Sequence, residues 1–137
     1  MRSRWLRRWN NAMIGFWRAK KPPGRRGEDL ATRYLRRAGY RILERNVRLR
    51  RYEVDIIARD GDTIVFVEVR SRISADPVPP EDSVGHTKQA HLIAAARIYQ
   101  MLHPDPEAYY RFDVVAVILP EKGRPEITLY KDAFQVP

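Results

Sequence analysis

The stretch that decides the fold runs from Arg51 to Arg72 and reads RYEVDIIARDGDTIVFVEVRSR. Two apolar runs, rich in β-branched residues, lie on either side of Asp60 and Gly61. Such runs favour strands, and an Asp-Gly pair between them is typical of a two-residue hairpin turn. The stretch therefore predicts a β-hairpin with Asp60 and Gly61 at its turn.

Three carboxylates lie within the predicted strands, where Asp and Glu are normally depleted. If residues 60 and 61 form the turn, Asp55 faces Phe66 and Glu53 faces Glu68. Opposed residues share a face and side chains alternate with a period of two, so Glu53, Asp55 and Glu68 are predicted to lie on one face. Both faces of the hairpin are otherwise apolar, which predicts a central position in a sheet that is covered on each side.

Clustered carboxylates at a partly buried strand end need a neutralising partner, because isolated buried charge is costly. One interpretation is a divalent cation held by the carboxylate oxygens. The alternative is a solvated strand end at which Arg51 and Arg70 form ion pairs with Glu53 and Glu68. The hairpin pattern alone leaves both interpretations open.

The composition indicates a single folded domain. The chain of 137 residues is long enough for one hydrophobic core. It contains no cysteine, which excludes disulfides, thiolate metal sites and a cysteine nucleophile. No apolar run is long enough to span a bilayer, and the first residues lack the continuous apolar segment of a secretory signal, so a cytoplasmic location is predicted.

The positive charge is concentrated towards the N-terminus. The chain has 26 basic and 17 acidic residues, and the whole excess of +9 is carried by residues 1–26, which contain no acid. This asymmetry indicates a polyanionic partner, although a basic surface that serves solubility alone is the alternative. Residues 1–23 form a tryptophan-bearing extension and linker, and residues 24–137 form the domain. The extension fits an amphipathic helix that could contact anionic lipid, nucleic acid or a protein partner, or act as a transit peptide.

The remaining pattern predicts helices and strands in a mixed order. The predicted elements are a helix over 25–38, a strand from Tyr40 that is interrupted near Asn46, the hairpin, a loop over 74–82, a helix over 83–102, and strands over 112–119 and 127–130. Glu28 and Asp29 fall in the first turn of the predicted first helix, where acids complement the helix dipole. This order predicts an α/β fold with a central mixed β-sheet flanked by helices.

Most of the domain resembles the YraN-like bacterial proteins, which are similar to the restriction-endonuclease-like superfamily and to archaeal Holliday-junction resolvases. The matching stretches are Gly27-Glu28, Gly39-Tyr40, Asn46, residues 53–58, residues 66–70, Lys88 and residues 111–117. The resemblance does not include the tryptophan-bearing extension. It implies a restriction-endonuclease-like fold with an α-β-β-β-α-β core and a PD-(D/E)xK site.

The implied site is carried over residue by residue. Asp55 matches the motif Asp, Glu68 matches the second acid, and Arg70 stands in the position of the motif Lys. Glu28 matches an acid on the first helix of resolvase-type relatives, and Glu53 is expected to assist. The sequence departs from the motif at two positions, because Val54 replaces the proline before the Asp and Arg70 replaces the Lys. Unlike lysine, arginine does not deprotonate at physiological pH. Arg70 could stabilise charge but could not act as a general base.

The resemblance implies a metal-dependent endonuclease that acts on DNA, including branched recombination or repair intermediates. Asp55 and Glu68 are the expected ligands of Mg²⁺ or Mn²⁺, and Lys88 could replace the motif Lys if it reaches the site. The basic residues expected to contact nucleic acid are Arg25, Arg26, Arg33, Arg48, Arg50, Arg51, Arg72 and Lys88. The alternative is a non-catalytic protein of the same fold that binds nucleic acid or a helicase-like partner. A homodimer is a further expectation, since cutting both strands of a junction calls for two sites.

Overall fold

The structure, a computed structural model, describes residues 24–73 and 83–137. The predictions for the N-terminal extension and for the loop over 74–82 lie outside these residues. The elements are α1 (Gly24–Arg37), β1 (Arg41–Leu49), β2 (Tyr52–Asp60), β3 (Thr63–Ile73), α2 (Ser83–Leu102), β4 (Tyr109–Leu119) and β5 (Glu126–Phe134). This order confirms the arrangement predicted from the sequence.

The five strands form one mixed sheet in the order β1-β2-β3-β4-β5. The neighbours β1 and β2, β2 and β3, and β4 and β5 are antiparallel, whereas β3 and β4 are parallel. The parallel pair follows from α2, because a helix that crosses over between two strands returns the chain in the same direction. The sheet and its two helices confirm an α/β fold consistent with a restriction-endonuclease-like core.

The two helices cover opposite faces of the sheet, so each face has its own apolar cluster. Ala31 and Leu35 of α1 pack with Val65 and Val67 in one cluster. Leu92 and other residues of α2 pack with Phe66, Phe112 and Val114 in the second cluster. The hairpin of β2 and β3 is therefore buried on both faces, as its two apolar faces predicted. No helix within the described residues is both long and apolar enough to cross a membrane.

The turn between β2 and β3 differs from the sequence prediction by two residues in register. Asp60 pairs with Thr63 and Ile57 pairs with Phe66, so the turn residues are Gly61 and Asp62 rather than Asp60 and Gly61. Gly61 has a φ of 63°, and Asp62 is not at positive φ. This pattern matches a hairpin turn with glycine first, whereas the predicted Asp-Gly turn requires both residues at positive φ.

Three element boundaries also differ from the predictions. Because α1 begins at Gly24, Glu28 and Asp29 lie beyond its first turn, and the predicted interaction with the helix dipole is wrong. Asp29 instead pairs with Arg45 at 2.7 Å, which lowers the pKa of the Asp29 carboxyl. Strand β1 continues through Asn46, although Asn46 has a left-handed φ of 51°. Strand β5 extends over nine residues, well beyond the predicted 127–130.

Asp113 anchors a polar network on the α1 face of the sheet. Its fully buried carboxylate accepts hydrogen bonds from the Tyr40 hydroxyl at 2.7 Å and from Arg111 at 2.9 Å. Arg111 also pairs with Asp60 at 2.9 Å, and this hydrogen bond lowers the pKa of Asp60. Burial, followed by the negative charge of Asp113, raises the pKa of Tyr40. The buried Asp113 carboxylate is therefore paired with Arg111.

Candidate active site

Strands β2 and β3 stop pairing at the position of the motif aspartate. The last backbone pair towards this end is Ile56 with Val67, and continuing that register places Asp55 opposite Glu68. The Val69 N–H donates a hydrogen bond of 2.8 Å to Asp55 Oδ2. The carboxylate of Asp55 thus occupies the place of a strand carbonyl and remains buried, with 5% of the residue exposed.

The alternation of β2 side chains also breaks at Asp55. Val54 packs in the α2-side cluster together with Ile57, whereas Ile56 packs in the α1-side cluster. On the neighbouring strand, the register places Asn46, with its left-handed φ of 51°, opposite Asp55. Left-handed residues in strands twist the backbone locally, and asparagine tolerates this conformation better than most residues. The local irregularity therefore coincides with the proposed metal ligand.

Glu68 lies in the middle of β3 and contacts two cations. Its Oε1 is 2.9 Å from an amino nitrogen of Arg70, and both side chains are essentially inaccessible to solvent. Its Oε2 is 3.5 Å from Lys88 Nζ, which α2 brings to the sheet and which keeps 13% side-chain exposure. The structure thus brings Asp55, Glu68, Arg70 and Lys88 together from two strands and one helix.

The charges of this group balance within the protein. Two carboxylates, Asp55 and Glu68, are matched by the cations Arg70 and Lys88. Burial lowers the pKa of Arg70, and the nearby carboxylates of Glu68 and Asp55 oppose this effect. The ion pair predicted between Arg70 and Glu68 is confirmed, but it is buried and not at a solvated strand end.

Two acids predicted for the site lie elsewhere. Glu53 is largely exposed and lies 3.7 Å from Arg48. It therefore forms a surface ion pair with Arg48 and not with Arg51, which was the partner predicted from the sequence. Glu28 belongs to α1, where Gly27 packs on Ser71, on the opposite face of the sheet from Glu68. Its backbone carbonyl accepts a hydrogen bond of 2.7 Å from the Thr32 hydroxyl. Of the five residues expected from the sequence, the contacts in the structure bring together Asp55, Glu68 and Arg70.

Gln89 is a buried polar residue next to Lys88 in the chain that the sequence analysis missed. It follows Lys88 in α2 and is buried, with 8% of the residue exposed. It lies four residues before Ile93, at a position of the helical stripe that otherwise carries apolar side chains. A polar residue in an apolar stripe is the signal that could have identified it.

The carboxylates suit a small hard cation, and the described residues supply two of them, Asp55 and Glu68. Among residues 24–73 and 83–137, no group of three or more His, Asp or Glu side chains is close enough to hold a metal ion. Mg²⁺ is commonly held by one or two carboxylates, with substrate phosphates and water completing its coordination. Asp55 and Glu68 supply these two carboxylates, provided that Lys88 moves away from Glu68 or contacts it together with the ion.

The predicted nucleic-acid-contacting residues fall into separate regions. Arg25, Arg26 and Arg33 are exposed on α1. Arg48, Arg50 and Arg51 are exposed near the turn from β1 to β2, on the edge of the sheet. Arg72 is half-buried near the end of β3, and Lys88 lies within the site.

The comparison with known proteins identifies the family of the chain. The model of the uncharacterised protein family UPF0102 matches residues 27–117. The chain belongs to this family. A UPF0102 protein of Syntrophus aciditrophicus is 50% identical over 113 residues, which cover 82% of this chain and 88% of that protein. A UPF0102 protein of Anaeromyxobacter dehalogenans is 47% identical over 111 residues, with 81% and 82% coverage. The YraN-like resemblance is thereby confirmed, and UPF0102 membership itself names no activity.

Proposed function

We propose that this UPF0102 protein hydrolyses phosphodiester bonds in DNA with the help of Mg²⁺ or Mn²⁺. The observation that carries the proposal is the position of Lys88, whose Nζ lies 3.5 Å from Glu68 Oε2. The strand position of the motif Lys holds Arg70, yet α2 supplies a lysine to the same carboxylate. Two acids and a lysine are thus available where the pairing of β2 with β3 stops, which is the chemistry that the sequence motif calls for.

Asp55 and Glu68 would hold the ion, whose chemistry is to polarise the phosphate and to make a bound water more acidic. Lys88 has three N–H donors and some solvent access, so it can orient a water or a phosphate oxygen. Arg70 is 1% exposed, and its guanidinium is held by Glu68. Arg70 is therefore a positioning residue, which fixes the Glu68 carboxylate and balances its charge.

A second candidate function is nucleic-acid binding without catalysis, including binding together with a helicase-like partner. The observation that favours it is the charge balance of the site, because Arg70 and Lys88 already neutralise Asp55 and Glu68. A site that is neutral without an ion has less need of one. The basic surface would then be the functional feature, and the buried ion pairs would serve the fold.

Cleavage assays separate the two functions. The full chain would be incubated with labelled single-stranded, duplex, flapped and four-way DNA, and with matched RNA, in Mg²⁺ or Mn²⁺. Hydrolysis predicts that Asp55→Asn and Glu68→Gln each lower the cleavage rate by at least about 100-fold, a loss expected when a transition-state interaction is removed. Their affinity for DNA should change much less.

Glu53→Gln is the matched control, because it removes a carboxylate from the same strand at an exposed position. This variant should cut at the wild-type rate. Equal residual cleavage by the wild type, Asp55→Asn and Glu68→Gln would identify a contaminating nuclease and end the catalytic proposal. Binding without any cleavage across the panel would favour the second function. A two-fold dimer and a cytoplasmic location stay predictions.

A further inference from the structure

A basic groove lies between α2 and the turn that joins β1 to β2. It has a volume of about 530 Å³ and is lined by Arg50, Arg51, Tyr52, Ala94, Arg97 and Ile98. Three of these side chains are cationic, and none is acidic. Arg45, Arg48 and Arg59 each have a carboxylate partner, whereas no ion pair within the described residues involves the three groove arginines. Among residues 24–73 and 83–137, no carboxylate neutralises these three charges, which suits them to contacts with phosphate groups.

The turn at the groove places arginine in a costly backbone conformation. Leu49 pairs with Tyr52, which leaves Arg50 and Arg51 as a two-residue hairpin loop. Arg50 has a φ of 58°, in the left-handed region where glycine, asparagine and aspartate are preferred. Such strained positions are enriched at functional sites. The turn thus presents two cations where a more stable sequence would carry small residues.

An aromatic pair lies beside these arginines. The rings of Tyr52 and His91 are 5.4 Å apart and inclined at 51°. The guanidinium of Arg51 lies over the Tyr52 ring at 5.2 Å, and it donates a hydrogen bond of 3.1 Å to the Tyr52 hydroxyl. Aromatic rings flanked by cations are the usual platform on which unpaired bases stack while the cations hold the backbone.

The groove is continuous with the candidate active site along two elements. Tyr52 precedes Asp55 by three residues in β2, a distance of roughly 10 Å along a strand. His91 follows Lys88 by three residues in α2, so both project from the same side of the helix. A nucleic-acid strand that occupied the groove would therefore lead to Asp55 and Glu68 within a few nucleotides.

We propose that this groove binds an unpaired nucleic-acid strand, with one base stacked on Tyr52 and His91 and the adjacent phosphates held by Arg50, Arg51 and Arg97. A duplex would offer only its phosphates, because its base faces are covered by stacking. The substrate of the active site is thus a strand with a single-stranded segment. This inference rests on the proposed function for its ligand class, but its test needs no hydrolysis.

The test is fluorescence anisotropy of the full chain without divalent metal. The probes are a labelled oligothymidylate of about 12 nucleotides, an abasic strand of the same length, and a duplex. Tyr52→Ala should weaken oligothymidylate binding about tenfold, because stacking on one base contributes about 1–3 kcal/mol. It should leave binding to the abasic strand and to the duplex unchanged. Tyr52→Phe keeps the ring and should bind as the wild type does, which separates the ring from the hydroxyl. The unchanged abasic and duplex binding of Tyr52→Ala controls for misfolding.

The arginines are tested by the salt dependence of the same binding. Arg97→Gln should weaken binding to the thymidylate and abasic strands alike, and should reduce the salt slope by about 0.7. Tyr109→Ala and Arg124→Gln remove an exposed tyrosine and an exposed arginine elsewhere, and both should match the wild type.

An unchanged oligothymidylate affinity in Tyr52→Ala, or an equal loss for the abasic strand, would overturn the stacking proposal. If the wild type cuts DNA but Tyr52→Ala binds oligothymidylate normally, the groove proposal is wrong and the proposed hydrolysis stands. If the wild type never cuts DNA but Tyr52→Ala shows the predicted loss of binding, the proposed hydrolysis is wrong and the groove proposal stands.

Discussion

The buried ion pair between Arg70 and Glu68 gives the sharpest test of the site's electrostatics. Replacing Arg70 by Met keeps a long flexible side chain but removes the guanidinium that lies 2.9 Å from Glu68 Oε1. Among the described residues, Glu68 still has Lys88, at 3.5 Å, as a cationic partner. The net charge of the group that comprises Asp55, Glu68, Arg70 and Lys88 falls from zero to −1.

Breaking a buried pair by removing one partner typically costs about 3–5 kcal/mol. We expect Arg70→Met to lie near the lower end, at about 3 kcal/mol, because Lys88 still neutralises part of the Glu68 charge. Domains of this size are stable by about 5–15 kcal/mol, so the variant should still fold. The double variant Glu68→Gln/Arg70→Met should be more stable than Arg70→Met, since it removes the Glu68 carboxylate together with its guanidinium partner and returns the net charge of the group to zero.

Urea unfolding followed by far-ultraviolet circular dichroism measures these free energies of unfolding. Arg45→Met is the matched control, since Arg45 pairs with Asp29 at 2.7 Å but both side chains are substantially exposed. Exposed pairs contribute about 1 kcal/mol at most, so this variant should lose no more than that. Equal losses in Arg70→Met and Arg45→Met would refute the argument that burial makes the Arg70 pair strong.

The same variant has a consequence for metal binding. With one cation removed, the group of two carboxylates and Lys88 should attract Mg²⁺ more strongly than the wild type does. At a Mg²⁺ concentration tenfold above its dissociation constant, bound metal raises the free energy of unfolding by about 1.4 kcal/mol. We therefore expect added Mg²⁺ to stabilise Arg70→Met more than the wild type. An equal response of the two proteins would show that the guanidinium does not compete with the ion.

Two further predictions concern the fold around the site. In Gly27→Ala, the new Cβ would lie 1.7 Å from Ser71 Oγ and 2.7 Å from Ser71 Cβ, so α1 must shift on β3. A loss of about 1–3 kcal/mol in urea unfolding is expected, Ser71→Gly in the same chain should restore part of it, and Gly24→Ala, which meets open space, should lose nothing. Asp60→Asn removes a carboxylate whose pKa Arg111 holds below the usual 3.8. The contribution of this carboxylate to the free energy of unfolding is therefore present above pH 3.8 and is lost as the pH falls through the lowered pKa. The difference in stability between the wild type and Asp60→Asn should therefore shrink below about pH 4, and a difference that grew there would contradict the ion pair.

The hairpin was predictable because its apolar pattern has a period of two, but its register was not. An Asp-Gly-Asp sequence can place the two turn residues at 60 and 61 or at 61 and 62. The first choice needs Asp60 at positive φ, whereas in the structure Asp60 is not at positive φ and pairs with Thr63. The correct choice moves the register by two residues. A shift of two preserves which face a side chain lies on, so Asp55 and Glu68 still meet although their predicted partners were wrong.

The composition of the site was predictable only in part. The motif spacing identified Asp55, Glu68 and Arg70, because all three lie on two strands joined by a short turn. Local sequence could not show that α2 would bring Lys88 to Glu68, since that contact depends on how the helix crosses the sheet. Nor could it show that Glu53 would lie at the surface, because the alternation of β2 breaks at Asp55.

The central claim is that Asp55 and Glu68 hold a divalent cation. Isothermal titration of Mn²⁺ into the full chain tests it most directly, with Asp55→Asn and the exposed-site control Glu53→Gln titrated under the same conditions. The account predicts one ion per chain for the wild type and for Glu53→Gln, and at least about a tenfold loss of affinity for Asp55→Asn. Equal binding by Asp55→Asn and the wild type, or no binding by the wild type at millimolar Mn²⁺, would contradict it.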